Sequence, residues 1–135
     1  MSVSAYASNK ILDRNFGGTS FTVPTTYYIG LSTTSPAFDG TGVTEPSGGA
    51  YARVAMVNNK TNWSNATLGV LANLTSVEFA ESTASWGTIT HVFISDALTA
   101  GNMWYYEALD TSRTVADATT VLFAASGISI QMNNS

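Results

Sequence analysis

The stretch ASWGTITHVFISDALTAGNMWYYEALD, Ala84–Asp110, decides the fold. It carries the chain's single histidine, His91, with acids and aromatics close behind, which is how the edge of an active site looks. Read at a period of two it becomes two strands and a turn. In GTITHVFIS an extended backbone puts Ile89, His91 and Phe93 on one face and Asp96 on the other. DALTAGN, Asp96–Asn102, supplies the turn, and the alternation resumes through Trp104 and Tyr106. On this reading His91 is a polar tie inside a hairpin.

The same period extends outward. TTYYIGLST places Tyr27, Ile29 and Leu31 together, YARVAMV groups Ala52, Val54 and Met56, and LTSVEFAE pairs Val77 with Phe79. TTVLFAA and GISIQM end the chain, the latter with Ile128, Ile130 and Met132 on one side. Clusters of Gly, Ser, Thr, Asn and Pro separate these runs. Residues 34–50 form a long loop, and NNKTNWSNATLG forms a polar, turn-rich one. About seven or eight short antiparallel strands follow, the pattern of a single all-β sandwich, jelly-roll-like or barrel-like. Residues 1–18 break it. Ala7, Ile11, Leu12 and Phe16 make an apolar stripe at helical spacing, Ser2 or Ser4 can cap it, and Gly17-Gly18 ends it. The expectation is one domain over 1–135, with an N-terminal helix in 1–18 and a β-sandwich in 19–135.

Composition narrows the function. Of 135 residues 44% are hydrophobic, enough for a core, but only 10% are charged, far below the roughly 25% usual in soluble domains. Hydroxyls and amides fill the surface instead, and they neither titrate nor respond to salt. The net charge is −4, and two lysines and three arginines are scattered along the chain, so nucleic acid is excluded as a partner. No apolar run approaches the roughly 20 residues that span a bilayer, and MSVSAYASNKILDRNF lacks the pattern of a secretory signal. No membrane partner and synthesis in a cytoplasm are expected. The absence of cysteine removes disulfides and thiolate metal sites.

Catalysis finds little support. A serine triad needs a base and an orienting acid on converging geometry, and there is no G-x-S-x-G elbow. Glu78 and Glu81, and Glu107 and Asp110, stand three apart, which in strands puts each pair on opposite faces. One histidine and one acid in FDGTG do not make a calcium loop. No catalytic residue, cofactor or metal is expected. Asn59, Asn62, Asn65, Asn73 and Asn133 each begin an N-x-S/T sequence, matches expected by chance in a chain so rich in Ser and Thr, and the 58–67 run reads as an exposed polar loop. Two features point to contacts. Trp63 lies in a polar loop without apolar neighbours, which suits exposure to another subunit or a ligand. The planar fork of Arg53 suits a carboxylate such as Glu45 or Glu107, within the chain or across an interface. Ala7, Ile11, Leu12, Phe16, Tyr51, Arg53 and Trp63 are therefore the candidate interface residues.

The order of motifs resembles a family of small tailed-bacteriophage virion proteins described as tail-fibre-like. The resemblance runs from about Ala5 to Met132. Thr44, Glu45, Tyr51, Ala52 and Arg53 match a T-E-x-x-G-x-Y-A-R segment. Ala84, Trp86, Gly87, Thr90, His91, Ile94, Asp96 and Ala97 match the block around W-G-x-x-T-H. Gly101, Tyr105, Ala108 and Leu109, and then Arg113, Thr114 and Val115, close the pattern. The loop from Val57 to Asn73 departs from it. The resemblance implies a non-enzymatic structural role in the virion, on capsid or tail, with other virion proteins as partners and a homo-oligomer, a trimer above all. A host-surface glycan, bound through Trp63 and the 35–50 loop, is the alternative.

Overall fold

A computed structural model describes residues 1–132, so the N-x-S sequence at Asn133 lies outside it. The chain opens with a strand, β1 (Ser2–Val3), where the sequence suggests only the approach to a helix. β1 pairs antiparallel with Tyr105 and Tyr106. The helix α1 follows at Ala5–Asn15. Of the two serines able to cap it, Ser4 does so. Its Oγ accepts the Ala7 N–H at 3.2 Å and donates to the Met103 carbonyl at 2.6 Å. The cap thus satisfies a free helix donor and bolts the helix to the sheet at once. Gly18, in a left-handed conformation with φ of 69°, lies just beyond the helix end.

The remaining strands are β2 (Thr26–Ser32), β3 (Val54–Val57), β4 (Val70–Ala72), β5 (Val77–Glu78), β6 (Gly87–Ser95), β7 (Met103–Val115), β8 (Leu122–Phe123) and β9 (Ser129–Gln131). Every pairing is antiparallel. Five strands form one sheet in the order β1-β7-β6-β2-β3, while β4 with β9 and β5 with β8 form two short ribbons. The molecule is all-β and sandwich-like, with one short helix. Tyr27, Ile29 and Leu31 do share a face. They meet Met56, Val92, Ile94 and Val115 of the sheet, and Val77, Phe123, Leu71 and Ile130 of the ribbons, in a single apolar core. Rings cross its centre: Tyr51 stacks on Phe79 at 6.2 Å and meets Trp86 edge-on at 5.3 Å.

The hairpin of β6 and β7 forms as its sequence suggests, but its alternation does not run through. Ile89 and Val92, three residues apart, both enter the core. Ile89 stands opposite Arg113 and His91 opposite Ala108, so four residues of β7 face Thr90 alone. This irregularity reverses the phase of the strand. Ile89 therefore lies on the core face, whereas His91 and Phe93, opposite Ser32 and Gly30 of β2, lie on the other. A second shift leaves Trp104 unpaired between Met103 and Tyr105. Tyr105 then faces the core, and Trp104 turns under α1 to meet Tyr6 at 5.5 Å and Tyr27 at 5.8 Å.

Candidate functional site

Arg53 ties the long loop 33–53 to the turn between β6 and β7. Arg53 gives a two-pronged pair to Glu45, Nε to Oε1 and Nη2 to Oε2, both at 2.9 Å. Its Nη1 donates to the carbonyls of Ala97 at 2.7 Å and Ala100 at 2.8 Å, in the turn between β6 and β7. The guanidinium also sits 5.1 Å from the centre of the Phe93 ring. Tyr51 extends the network: its hydroxyl donates to Glu45 Oε1 at 2.7 Å and accepts the Leu31 N–H at 2.9 Å. Burial opposes ionisation of Glu45. The hydrogen bonds from Arg53 and Tyr51 and the charge of Arg53 outweigh it and hold the carboxyl below the usual range. Burial, and then the bond to the Glu45 carboxylate, push the Tyr51 hydroxyl far up, so it stays a donor.

This arrangement settles the two carboxylates open to Arg53 in favour of Glu45, within the chain. The Arg53 side chain is only 6% exposed. Arg53 and Tyr51 therefore use their polar groups within the chain, where they hold the loop in place. Trp63 corrects the sequence reading more sharply. It is 5% exposed and belongs to the core, because Asn59 folds its polar loop back over the strands. Asn59 Oδ1 accepts the N–H groups of Thr61 and Asn62, and the Asn59 carbonyl accepts the Trp63 N–H. Trp86 and Trp104 are buried as well. Asn73 is also buried. It accepts the Ile128 N–H at 2.9 Å and donates to the carbonyls of Thr75 and Ala124.

The helical stripe is split. Ala7 is fully buried and Ile11 half-buried, yet Leu12 is 54% exposed and Phe16 82%. The first half of α1 docks on its own sheet and the second half projects its apolar side. His91 gathers no catalytic company. Its Nδ1 lies 2.8 Å from Thr90 Oγ1. Asp96 is occupied in the turn, accepting the Asn102 N–H at 2.8 Å and the Trp104 indole N–H at 3.2 Å. Burial opposes its ionisation, but these bonds prevail and keep its pKa below the ordinary value. Among the described residues no group of three or more histidine or acidic side chains is gathered to hold a metal ion. No described helix is long and apolar enough to cross a membrane.

Residues 2–131 match the family Gp80, described as podophage GP4 fiber I protein gp80. The chain belongs to this family. No curated protein matches it. Gp80 is a family of bacteriophage fibre proteins, so the resemblance carried by Y-A-R and by W-G-x-x-T-H holds, and the chain has a structural, fibre-type role in a phage. Family motifs acquire physical meanings here. Glu45, Tyr51 and Arg53 form the clasp. The Trp86 indole donates to the Gly49 carbonyl at 2.8 Å and ties the same loop between Glu45 and Tyr51. Asp96 locks the turn that Arg53 grips.

Two residues of this region carry no flag in the motif reading. Gly30 lies under Phe93 so closely that a Cβ there would come within 2.7 and 2.9 Å of the ring carbons Cε1 and Cε2. A lone glycine between Ile29 and Leu31 is the signal, since glycine inside a strand marks a close approach. Phe93, buried on the face away from the main core, is the second. Only the broken register reveals that it supports Arg53.

Proposed function

We propose that this chain is an oligomeric subunit on the surface of the phage particle, joined to copies of itself, as a trimer above all, and seated on capsid or tail proteins as a head-fibre, decoration or tail-fibre component. It is made in the host cytoplasm and ends in the virion, and catalysis has no part in its work. The observation that carries this reading is the split helix. Its first turn is fixed by Ser4, whereas Leu12 and Phe16 stand 54% and 82% exposed. An apolar stripe half used within the chain and half presented outward suits a subunit contact. Sedimentation equilibrium of the chain alone, and of Leu12→Ser with Phe16→Ser, tests it. The wild type sediments as an oligomer and the double variant as a monomer with unchanged circular dichroism. A wild type monomeric at millimolar concentration refutes the reading. The particle's copy number then separates the seats: hundreds of copies mean capsid decoration, a few dozen mean a fibre. Glycan binding has no comparable support, because Trp63, Trp86 and Trp104 are all buried and leave no indole platform.

A further inference from the structure

One buried polar group stands apart from the rest. The indole N–H groups of Trp86 and Trp104 reach the Gly49 carbonyl and the Asp96 carboxylate. That of Trp63, in a side chain only 5% exposed, reaches neither a carbonyl nor a side chain. Among the described residues Trp63 Nε1 is the one buried side-chain nitrogen or oxygen without a hydrogen-bond partner. A buried donor left unpaired costs about 1–3 kcal/mol, so its presence in a folded chain calls for a reason.

Trp63 lines a cavity of about 250 Å³ at the edge of the core. Two cross-strand pairs meet over it: Ile94 with Tyr105, from β6 and β7, and Leu71 with Ile130, from the β4–β9 ribbon. Tyr27 of β2 adds a further wall, and Lys60 is the one charged side chain among the described residues of the lining. The walls are apolar, and the polar groups they carry can donate. Burial pushes the hydroxyls of Tyr27 and Tyr105 above the ordinary tyrosine range, so both keep their protons. Lys60 is exposed, with Nζ 2.8 Å from the Ser64 carbonyl. Asp96, whose charge reaches Tyr27, does not line the cavity and is taken up by Asn102 and Trp104. The space exceeds a single water's share of about 30 Å³ and lies just below the roughly 300 Å³ at which drug-sized sites begin. We propose that this cavity binds a small molecule with an apolar body and a carboxylate. The body lies against Ile94, Leu71 and Ile130, and the carboxylate accepts the Trp63 indole N–H within reach of Lys60. An unpaired donor, one cation and no acid in the lining select an anionic acceptor over a cationic ligand. This site is separate from the apolar end of α1 and does not depend on the oligomeric reading.

Proton–nitrogen correlation NMR of the whole chain tests it, with phenylacetate as the probe and phenethylamine as the control of like body and opposite charge. Phenylacetate moves the Trp63 indole signal and saturates with a dissociation constant of about 1–10 mM, while the signals of Trp86 and Trp104, already bonded, stay in place. Phenethylamine moves none of them. Trp63→Phe keeps a ring and removes the donor, and weakens binding, read on the Leu71 and Ile130 amides, at least about 10-fold. Lys60→Ala, at an exposed position that folding does not need, weakens it about 2- to 5-fold. A Trp63 signal unmoved by phenylacetate overturns the site, as does a control that binds equally well. Affinity unchanged in Lys60→Ala, or in a folded Trp63→Phe, overturns the assignment of the carboxylate.

Discussion

Gly30→Ala separates two opposed expectations by sign. Gly30 lies in β2 with a backbone open to any residue, and alanine there restricts the unfolded chain and stabilises by about 0.4–1 kcal/mol. The packing says otherwise. The added Cβ comes within 2.7 and 2.9 Å of two Phe93 ring carbons, against roughly 3.5–4.0 Å for a comfortable carbon contact. The ring must move by about 1 Å. It is 2% exposed, and the Arg53 guanidinium 5.1 Å away is held by Glu45, Ala97 and Ala100. Overpacking of this kind costs about 1–3 kcal/mol, so at the middle of both ranges the net destabilisation is about 1.3 kcal/mol. For a chain of this length that lowers the thermal midpoint by about 4–6 °C. Urea unfolding followed by tryptophan fluorescence measures it, since all three indoles are buried and report loss of structure. In a Phe93→Leu background, which removes the crowding ring atoms, the same alanine is neutral or stabilising. A rise in midpoint for Gly30→Ala, or an equal penalty in the Phe93→Leu background, refutes the argument.

Glu45→Gln removes a carboxylate whose folded pKa lies below its unfolded value, so its contribution is present above about pH 4.5 and is lost as pH falls through the folded pKa. At pH 7 the variant is destabilised by about 1–3 kcal/mol, at the low end for a buried pair because the Glu45 side chain is 27% exposed, and the gap from wild type closes on acidification below about pH 4.5, read from urea midpoints at each pH. Asp96 is shifted in the same direction and is common to both proteins, so the difference between them isolates Glu45. Asn73→Ala strips the buried Ile128 N–H and two partly buried carbonyls of their partner and costs about 1–3 kcal/mol by the same denaturation assay, where an exposed loop asparagine would cost almost nothing.

The strands around Ile29, Leu31, Val54 and Met56 were legible because a period of two leaves one face to bury, and the core uses that face. The capped helix and its glycine stop were legible because local hydrogen-bonding chemistry places them. What stayed hidden is non-local. Nothing in GTITHVFIS says that four residues of β7 will stand against Thr90, yet that mismatch turns Ile89 inward and Phe93 outward. Trp63 read as exposed because its sequence neighbours are polar, and those neighbours are what fold over it: Asn59 builds the turn that carries the indole into the core. Arg53 had two carboxylates open to it, and only the path of the 33–53 loop brings Glu45 to its fork.

The low charge of the chain and the way its loops are tied belong together. Among the described residues, one close ion pair, Arg53 with Glu45, sits at the point where a loop of about twenty residues meets the β6–β7 turn. Elsewhere, beside single charged groups such as Asp96 in its turn, neutral groups do much of the tying. Asn73 fixes the 124–128 turn to the end of β4, and Ser82 does the same for the 116–119 turn, donating to the Ala116 carbonyl at 2.6 Å and accepting the Thr119 N–H at 3.0 Å. Such bonds are insensitive to ionic strength, whereas exposed ion pairs are screened by it. The loops of this fold are thus held in a way that changes of salt outside a cell do not reach. The apolar end of α1, at Leu12 and Phe16, is by contrast turned outward.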